Sequence, residues 1–158
     1  DERGKIIAAG TCVFRIQGNW RDFCIARIHS DQNFFDLDND NESAPSSDAI
    51  LYLRHLLGFR ETSLTSGALG TYADRTSAID IATYLSTPNA NFPNCSVSIV
   101  GAPGGPQAML DGIVLLRAML GLTGSAVTNG IAFPAGTART SWVDIKAHLN
   151  GNCGMSLN

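Results

Sequence analysis

A chain of 158 residues that is 44% hydrophobic and 16% charged is long enough for one ordinary domain or two small ones, and can bury a core. Its net charge of −3 argues against nucleic acid or an anionic membrane surface as a partner. No apolar run approaches the roughly 18 residues of a bilayer span, so no segment is expected to cross a membrane.

The opening DERGKIIAAG is too short in apolar residues, and too acidic, for a signal peptide. The expectation is a mature chain whose signal has been removed. Residues 1–33 read as a separate β-hairpin or extended β arm. In that stretch KIIAAGTCVFRI and RDFCIARI are rich in strand-forming residues and flank the turn-like QGNW. Pairing positions whose numbers sum to 36 sets Cys12 opposite Cys24, with Gly18 at the bend.

The four cysteines, Cys12, Cys24, Cys95 and Cys153, form no C-x-x-C. Zinc-ribbon, thioredoxin-like and c-type haem readings therefore lack their motifs. An even count at wide spacing fits two disulfides and an oxidising compartment. Of the three possible pairings, Cys12–Cys24 with Cys95–Cys153 is expected. The second closes a loop long enough to contribute roughly 4 kcal/mol in the chain-entropy model. A Cys24–Cys95 bond would instead staple the arm onto the rest of the chain.

The next segment, FDLDNDNESAPSSDAILYLRHLLGF, places Asp36, Asp38 and Asp40 at positions 1, 3 and 5 of a loop. Glu42 at position 7 would offer its backbone carbonyl, and Asp48, at position 13, would close the shell from the start of the following helix. Alternating oxygen ligands of this kind suit calcium, which takes six to eight of them. Hard carboxylates favour it over zinc. Four carboxylates so close repel one another unless a cation sits among them. Position 6 needs a left-handed backbone, and Asn41 is the residue most tolerant of it after glycine. The NES and NCS tripeptides at Asn41 and Asn94 match glycosylation acceptors, but a metal loop and a disulfide are poor hosts for a glycan.

An internal duplication organises the remainder. With Asp48 aligned on Asp111, eight pairs are identical at an offset of 63, including Leu53/Leu116, Arg54/Arg117 and Gly58/Gly121. One extra residue in the second copy moves the offset to 64, and six more pairs match, from Arg75/Arg139 to Leu85/Leu149. Each copy reads as two helices. The first runs over about 47–57, with Ile50, Leu53 and Leu57 as its apolar stripe, and stops at Gly58. Its counterpart carries Ile113, Leu116 and Leu120 and stops at Gly121. The second helices begin at Ser77 and Ser141, with Asp80 and Asp144 in capping-box spacing. Their stripes are Ala78, Ile81, Leu85 and Trp142, Ile145, Leu149. The copies are expected to pack into one body, repeat 1 over 34–92 and repeat 2 over 93–158.

The second copy has Ile99, Gly101 and Pro103 where the first has its three acids. Its Gly- and Pro-rich loop would hold by backbone conformation and by Cys95–Cys153, with Asp111 kept as a helix-start charge. Arg54 and Arg117 read either as snorkelling side chains or as partner contacts. His29, His55 and His148 have no acid and nucleophile at catalytic spacing, and G-x-S-x-G, H-E-x-x-H and P-loop patterns are absent. The chain is expected not to be an enzyme.

The acidic loop and its LRHLLG helix resemble dockerin-type, EF-hand-like repeats, above all the duplicated DxDxD…LRxLLG units of secreted bacterial proteins. The resemblance covers roughly residues 35–153. It implies a mainly α fold of two packed repeats and one Ca2+ site, in repeat 1. The implied role is a secreted, non-catalytic structural protein of the bacterial exterior or cell surface. Self-assembly into a filament through the N-terminal arm, Lys5 to Ile16 touching a neighbouring copy, is the expected activity. The alternative is a docking module for a receptor domain, such as one on a cell-surface protein.

Overall fold

Each copy of the duplication starts its first helix with a wide turn. Pro45–Ala49 is a π-helical turn that leads directly into α1 (Ile50–Leu56), and Ala108–Gly112 is its counterpart ahead of α4 (Ile113–Met119). A one-turn helix lies in each connector, α2 (Thr62–Thr65) and α5 (Ser125–Thr128), where the sequence predicted irregular chain. The second helices are α3 (Ala78–Ser86) and α6 (Trp142–Gly151). The computed structural model describes residues 33–87 and 89–158, and the backbone of 6–13 and 21–28. The fold is mainly α.

The chain divides into two units, Asp1–Ser30 and Asp31–Asn158. In the first, β1 (Ile6–Val13) and β2 (Arg21–Ile28) run antiparallel, with Gly10 opposite Cys24 and Cys12 opposite Asp22. That register is two residues away from the one that would align the two cysteines. The Cys12 and Cys24 side chains, the bend at Gly18 and His29 lie outside the described residues, so the expected Cys12–Cys24 bond does as well.

In the second unit, the helix ends follow their sequence signals. Gly58 and Gly121 adopt φ of 85° and 80°. The N–H of Phe59 reaches the Arg54 carbonyl, and that of Leu122 reaches Arg117. These are the long bonds of a Schellman stop, made in both copies. Ser77 and Ser141 are the N-cap residues of α3 and α6, but only Ser141 caps with its side chain, accepting the Asp144 N–H at 3.2 Å. Of the two predicted capping boxes, only the half at Ser141 forms, with the Asp144 carboxylate accepting the Ser141 hydroxyl.

The apolar stripe of the first helices differs from the one predicted. Leu57 and Leu120 are 55% and 59% exposed, whereas Leu51, Tyr52, Val114 and Leu115 are fully buried. Ile50, Leu53 and Leu57 do share one face of α1, but the face that meets the core carries Leu51 and Tyr52. These helices are also covered from two directions. Leu53 packs on the other copy, so closely that a Cβ on Gly112 would lie 2.6 Å from its Cδ1. The stripes of α3 and α6 do face the core, with Ile81, Leu85, Ile145 and Leu149 buried and Ala78 and Trp142 packed at its margin.

An aromatic group completes the core of the first copy. Phe34 stacks on Tyr84 at 5.3 Å between ring centroids, and Phe35 meets Tyr52 edge-on at 5.4 Å. Tyr52 in turn donates its hydroxyl proton to the Val97 carbonyl of the second copy. The Cys95–Cys153 disulfide closes the second copy, and the Phe34 N–H bonds to the Cys153 carbonyl at 2.8 Å, joining its end to the start of the first loop. No helix among the described residues is long and apolar enough to cross a membrane.

Candidate metal centre

Asp36, Asp38 and Asp40 alternate along the loop, and two left-handed residues, Asn39 (φ 58°) and Asn41 (φ 68°), coil it. Asp36 Oδ1 accepts the Asp40 N–H at 3.1 Å and its Oδ2 accepts the Asn41 N–H at 2.9 Å. This folding brings one carboxylate oxygen from each of the three acids to within 4.8 Å of the others. All three side chains are buried, Asp38 completely. Glu42 is exposed, and its N–H donates to Asp40 Oδ1 at 2.8 Å.

Asp48 stands behind the loop. Its Oδ1 accepts the N–H groups of Leu37 at 2.6 Å and Asp38 at 3.4 Å. Its Oδ2 accepts the Ala44 N–H at 2.9 Å and the Ser47 hydroxyl at 3.0 Å. The group of three that comes together does not include it. Asp48 braces the loop from inside, holding the backbone on both sides of the acids.

Gly70, which the sequence did not single out, forms the opposite wall. Its N–H donates to Asp38 Oδ2 at 2.6 Å, and a Cβ there would lie 2.2 Å from Asp40 Oδ2. The signal was present in the duplication, because the second copy has no acids and places Phe133 and Pro134 at this point instead. The Asp38 carbonyl accepts the N–H groups of Asp74 and Arg75 at 3.0 and 2.8 Å. Arg75 then donates to the carbonyls of Asp36 and Leu37, and its guanidinium lies 3.9 Å over the Tyr84 ring. The loop is thereby tied to the connector and to α3.

Burial, reinforced by the charges of Asp40 and Asp38, raises the Asp36 carboxyl from 3.8 to about 7 against the lowering effect of its backbone donors. Burial raises Asp48 to about 7 in the same way, with Asp38 and Asp36 adding to it. Asp38 is also raised, by burial and then by Asp40. Moreover, Asp38 Oδ1 is buried with no hydrogen-bond partner. An orphaned buried acceptor costs about 1–3 kcal/mol. A cation among the three carboxylates would relieve both penalties, and an all-oxygen set fits a hard divalent ion.

The second copy repeats the brace without the acids. Asp111 is fully buried. Its Oδ1 accepts the Val100 N–H at 2.9 Å and its Oδ2 the Gln107 N–H at 2.7 Å. These donors stand 63 residues after Leu37 and Ala44, the donors to Asp48. Asp111 therefore staples its loop and is more than a helix-start charge. Gly101 replaces Asp38 with φ of 67°, and a Cβ there would lie 3.1 Å from Arg139 Nη2. Arg139 donates to the carbonyls of Ser98 and Ile99, as Arg75 does to those of Asp36 and Leu37, so this tie is common to both copies.

The repeated arginines have a structural role that the sequence left open. Arg54 Nη1 donates to the carbonyls of Leu64 and Ser66 at 3.1 and 2.8 Å. Arg117 Nη1 donates to Val127 and Asn129 at 3.0 and 2.8 Å. Each closes the C-terminal end of the short helix in its own connector.

Comparison of the chain with protein-family models, with curated proteins and with solved structures gives no significant match. The likeness to dockerin-type repeats rests on the loop and helix residues named above.

Proposed function

We propose that this chain is a secreted, non-catalytic structural module whose first repeat is locked by one calcium ion, bound through Asp36, Asp38 and Asp40. The Glu42 carbonyl adds to the proposed ligand set, and Asp48, which the sequence placed among the ligands, braces the loop behind it. The observation that carries this reading is the fully buried Asp38, whose Oδ1 lacks a partner at the centre of the acidic loop. Its role is to assemble with further copies at the cell exterior, through the N-terminal arm. Apolar exposure supports a role in surface contact. Leu57/Leu120 and Ile79/Val143 occupy equivalent positions in the two copies and are all more than half exposed. A duplication that keeps such residues apolar twice, without burying them, points to contacts outside the chain.

Calcium titration followed by thermal unfolding tests the metal reading. Free calcium at one hundred times its dissociation constant stabilises by about 2.7 kcal/mol through mass action. Asp38→Asn and Asp40→Ala should remove that response. Asp111→Asn should lower the baseline melting point and leave the response intact. A melting point indifferent to calcium and chelator would remove the site. Sizing at high concentration then separates self-assembly from docking: a chain that stays monomeric with calcium present belongs to the docking alternative.

A further inference from the structure

We infer that, once the Cys95–Cys153 disulfide is reduced, Cys95, Cys153 and His148 form a second metal site, one for a thiolate-preferring ion such as zinc. The three candidate ligand atoms lie within 4.8 Å of one another. His148 Nε2 is 3.7 Å from Cys153 Sγ. Cys153 is fully buried and His148 nearly so, while Cys95 is part-exposed and gives solvent an approach. His148 sits in the last turns of α6, four residues separating it from Cys153, a local spacing common in structural zinc sites.

The ring is already positioned. Asn152 Nδ2 lies 3.0 Å from His148 Nδ1 and donates to it, and Nε2 faces the Ser96 carbonyl at 3.4 Å, so both ring nitrogens are held. Turned over so that its oxygen accepts an Nδ1 proton, the same Asn152 amide would fix the orientation of a metal-bound histidine. Burial, with the charge of Arg139, lowers the His148 pKa and favours the neutral imidazole that a metal requires. Nothing comparable exists in the first copy, where Tyr84 and Asn89 stand at the places of His148 and Cys153.

The chemistry balances with a dithiol as reductant. It gives two electrons and two protons to the disulfide, leaving thiols at Cys95 and Cys153, and itself becomes a cyclic disulfide. The metal then displaces both thiol protons to solvent. His148 binds through Nε2 after its proton moves through solvent to Nδ1: Nε2 gives up the Ser96 carbonyl, and the Asn152 amide turns its oxygen toward Nδ1. Solvent supplies the fourth ligand. The second copy would then have two interchangeable pins, a disulfide under oxidising conditions and a soft metal under reducing ones. The first copy keeps a hard-ion site.

The test uses the full chain carrying Cys12→Ser and Cys24→Ser, so that only this pair is present. Reduced under anaerobic conditions and titrated with cobalt(II), it should develop a thiolate-to-cobalt charge-transfer band and tetrahedral d–d bands, saturating at one equivalent. The oxidised chain should show neither. Asn152→Ala should weaken binding roughly 10- to 100-fold, and His148→Gln should alter the d–d bands. Asp38→Asn should leave them unchanged, which separates this site from the acidic loop. If reduction alone unfolds the chain, zinc should restore its helical circular dichroism. A reduced chain with no thiolate band and no zinc-dependent folding overturns the proposal. So does a band indifferent to His148→Gln.

Discussion

Gly70 leaves no room for a side chain beside Asp40: a Cβ on it would lie 2.2 Å from the Asp40 Oδ2. The contact joins the connector to the acidic loop and closes the proposed cation site from the far side. Gly70→Ala should therefore displace Asp40, cost about 1–3 kcal/mol of stability as overpacking does, and abolish the calcium-dependent rise in melting temperature. Helical circular dichroism at low temperature should persist. A Gly70→Ala chain with a full calcium response would detach Gly70 from the site.

Asp36 and Asp48 each contribute to the pH dependence of the metal-free chain. Their pKa values stand near 7 in the folded state, against 3.8 ordinarily. Between those two values the folded chain binds more protons than the unfolded one, so stability falls as pH rises. In chelator the stability difference between the chain and an Asp36→Asn variant should be most favourable to the chain below about pH 4 and should decline towards pH 7. Saturating calcium holds the carboxylates ionised, so its increment should grow over the same interval. A flat profile in chelator would mean that these acids are not buried as described.

Glu61 has φ 50° and ψ −140°, and its counterpart Gly124 has φ 58° and ψ −138°. That backbone region suits glycine and strains other residues by about 1–3 kcal/mol. Glu61→Gly should raise stability by about 1 kcal/mol, after the entropy that a glycine costs. Gly124→Glu should lower it. Chemical denaturation of the two variants measures both, and a destabilised Glu61→Gly would contradict the strain.

Arg54 and Arg117 make the same pair of backbone bonds one repeat apart. Arg54→Ala and Arg117→Ala should each cost about 1–2 kcal/mol, the scale of charge-assisted bonds that are partly open to solvent. The two losses should be similar and should add, because each arginine serves its own connector. Denaturation midpoints of the single and double variants check this. Unchanged stability would return the arginines to a surface role.

The sequence by itself determined what short stretches of chain carry. The duplication, the stops at Gly58 and Gly121, the core stripes of α3 and α6 and the alternation of the acids are all local patterns. The Cys95–Cys153 pairing followed from where the second repeat begins and ends. Only the tertiary structure decided which side of α1 and α4 is buried, because the other copy covers part of each helix. Tertiary contact also made Asp48 and Asp111 braces and gave Arg54 and Arg117 their carbonyls. It brought Gly70 against an acid pair more than a helix away. The physical reason is common to all of these. Each depends on a backbone group or a neighbour that approaches only after the chain has folded back on itself. Asp38 and Gly70, 32 residues apart, are the plainest case.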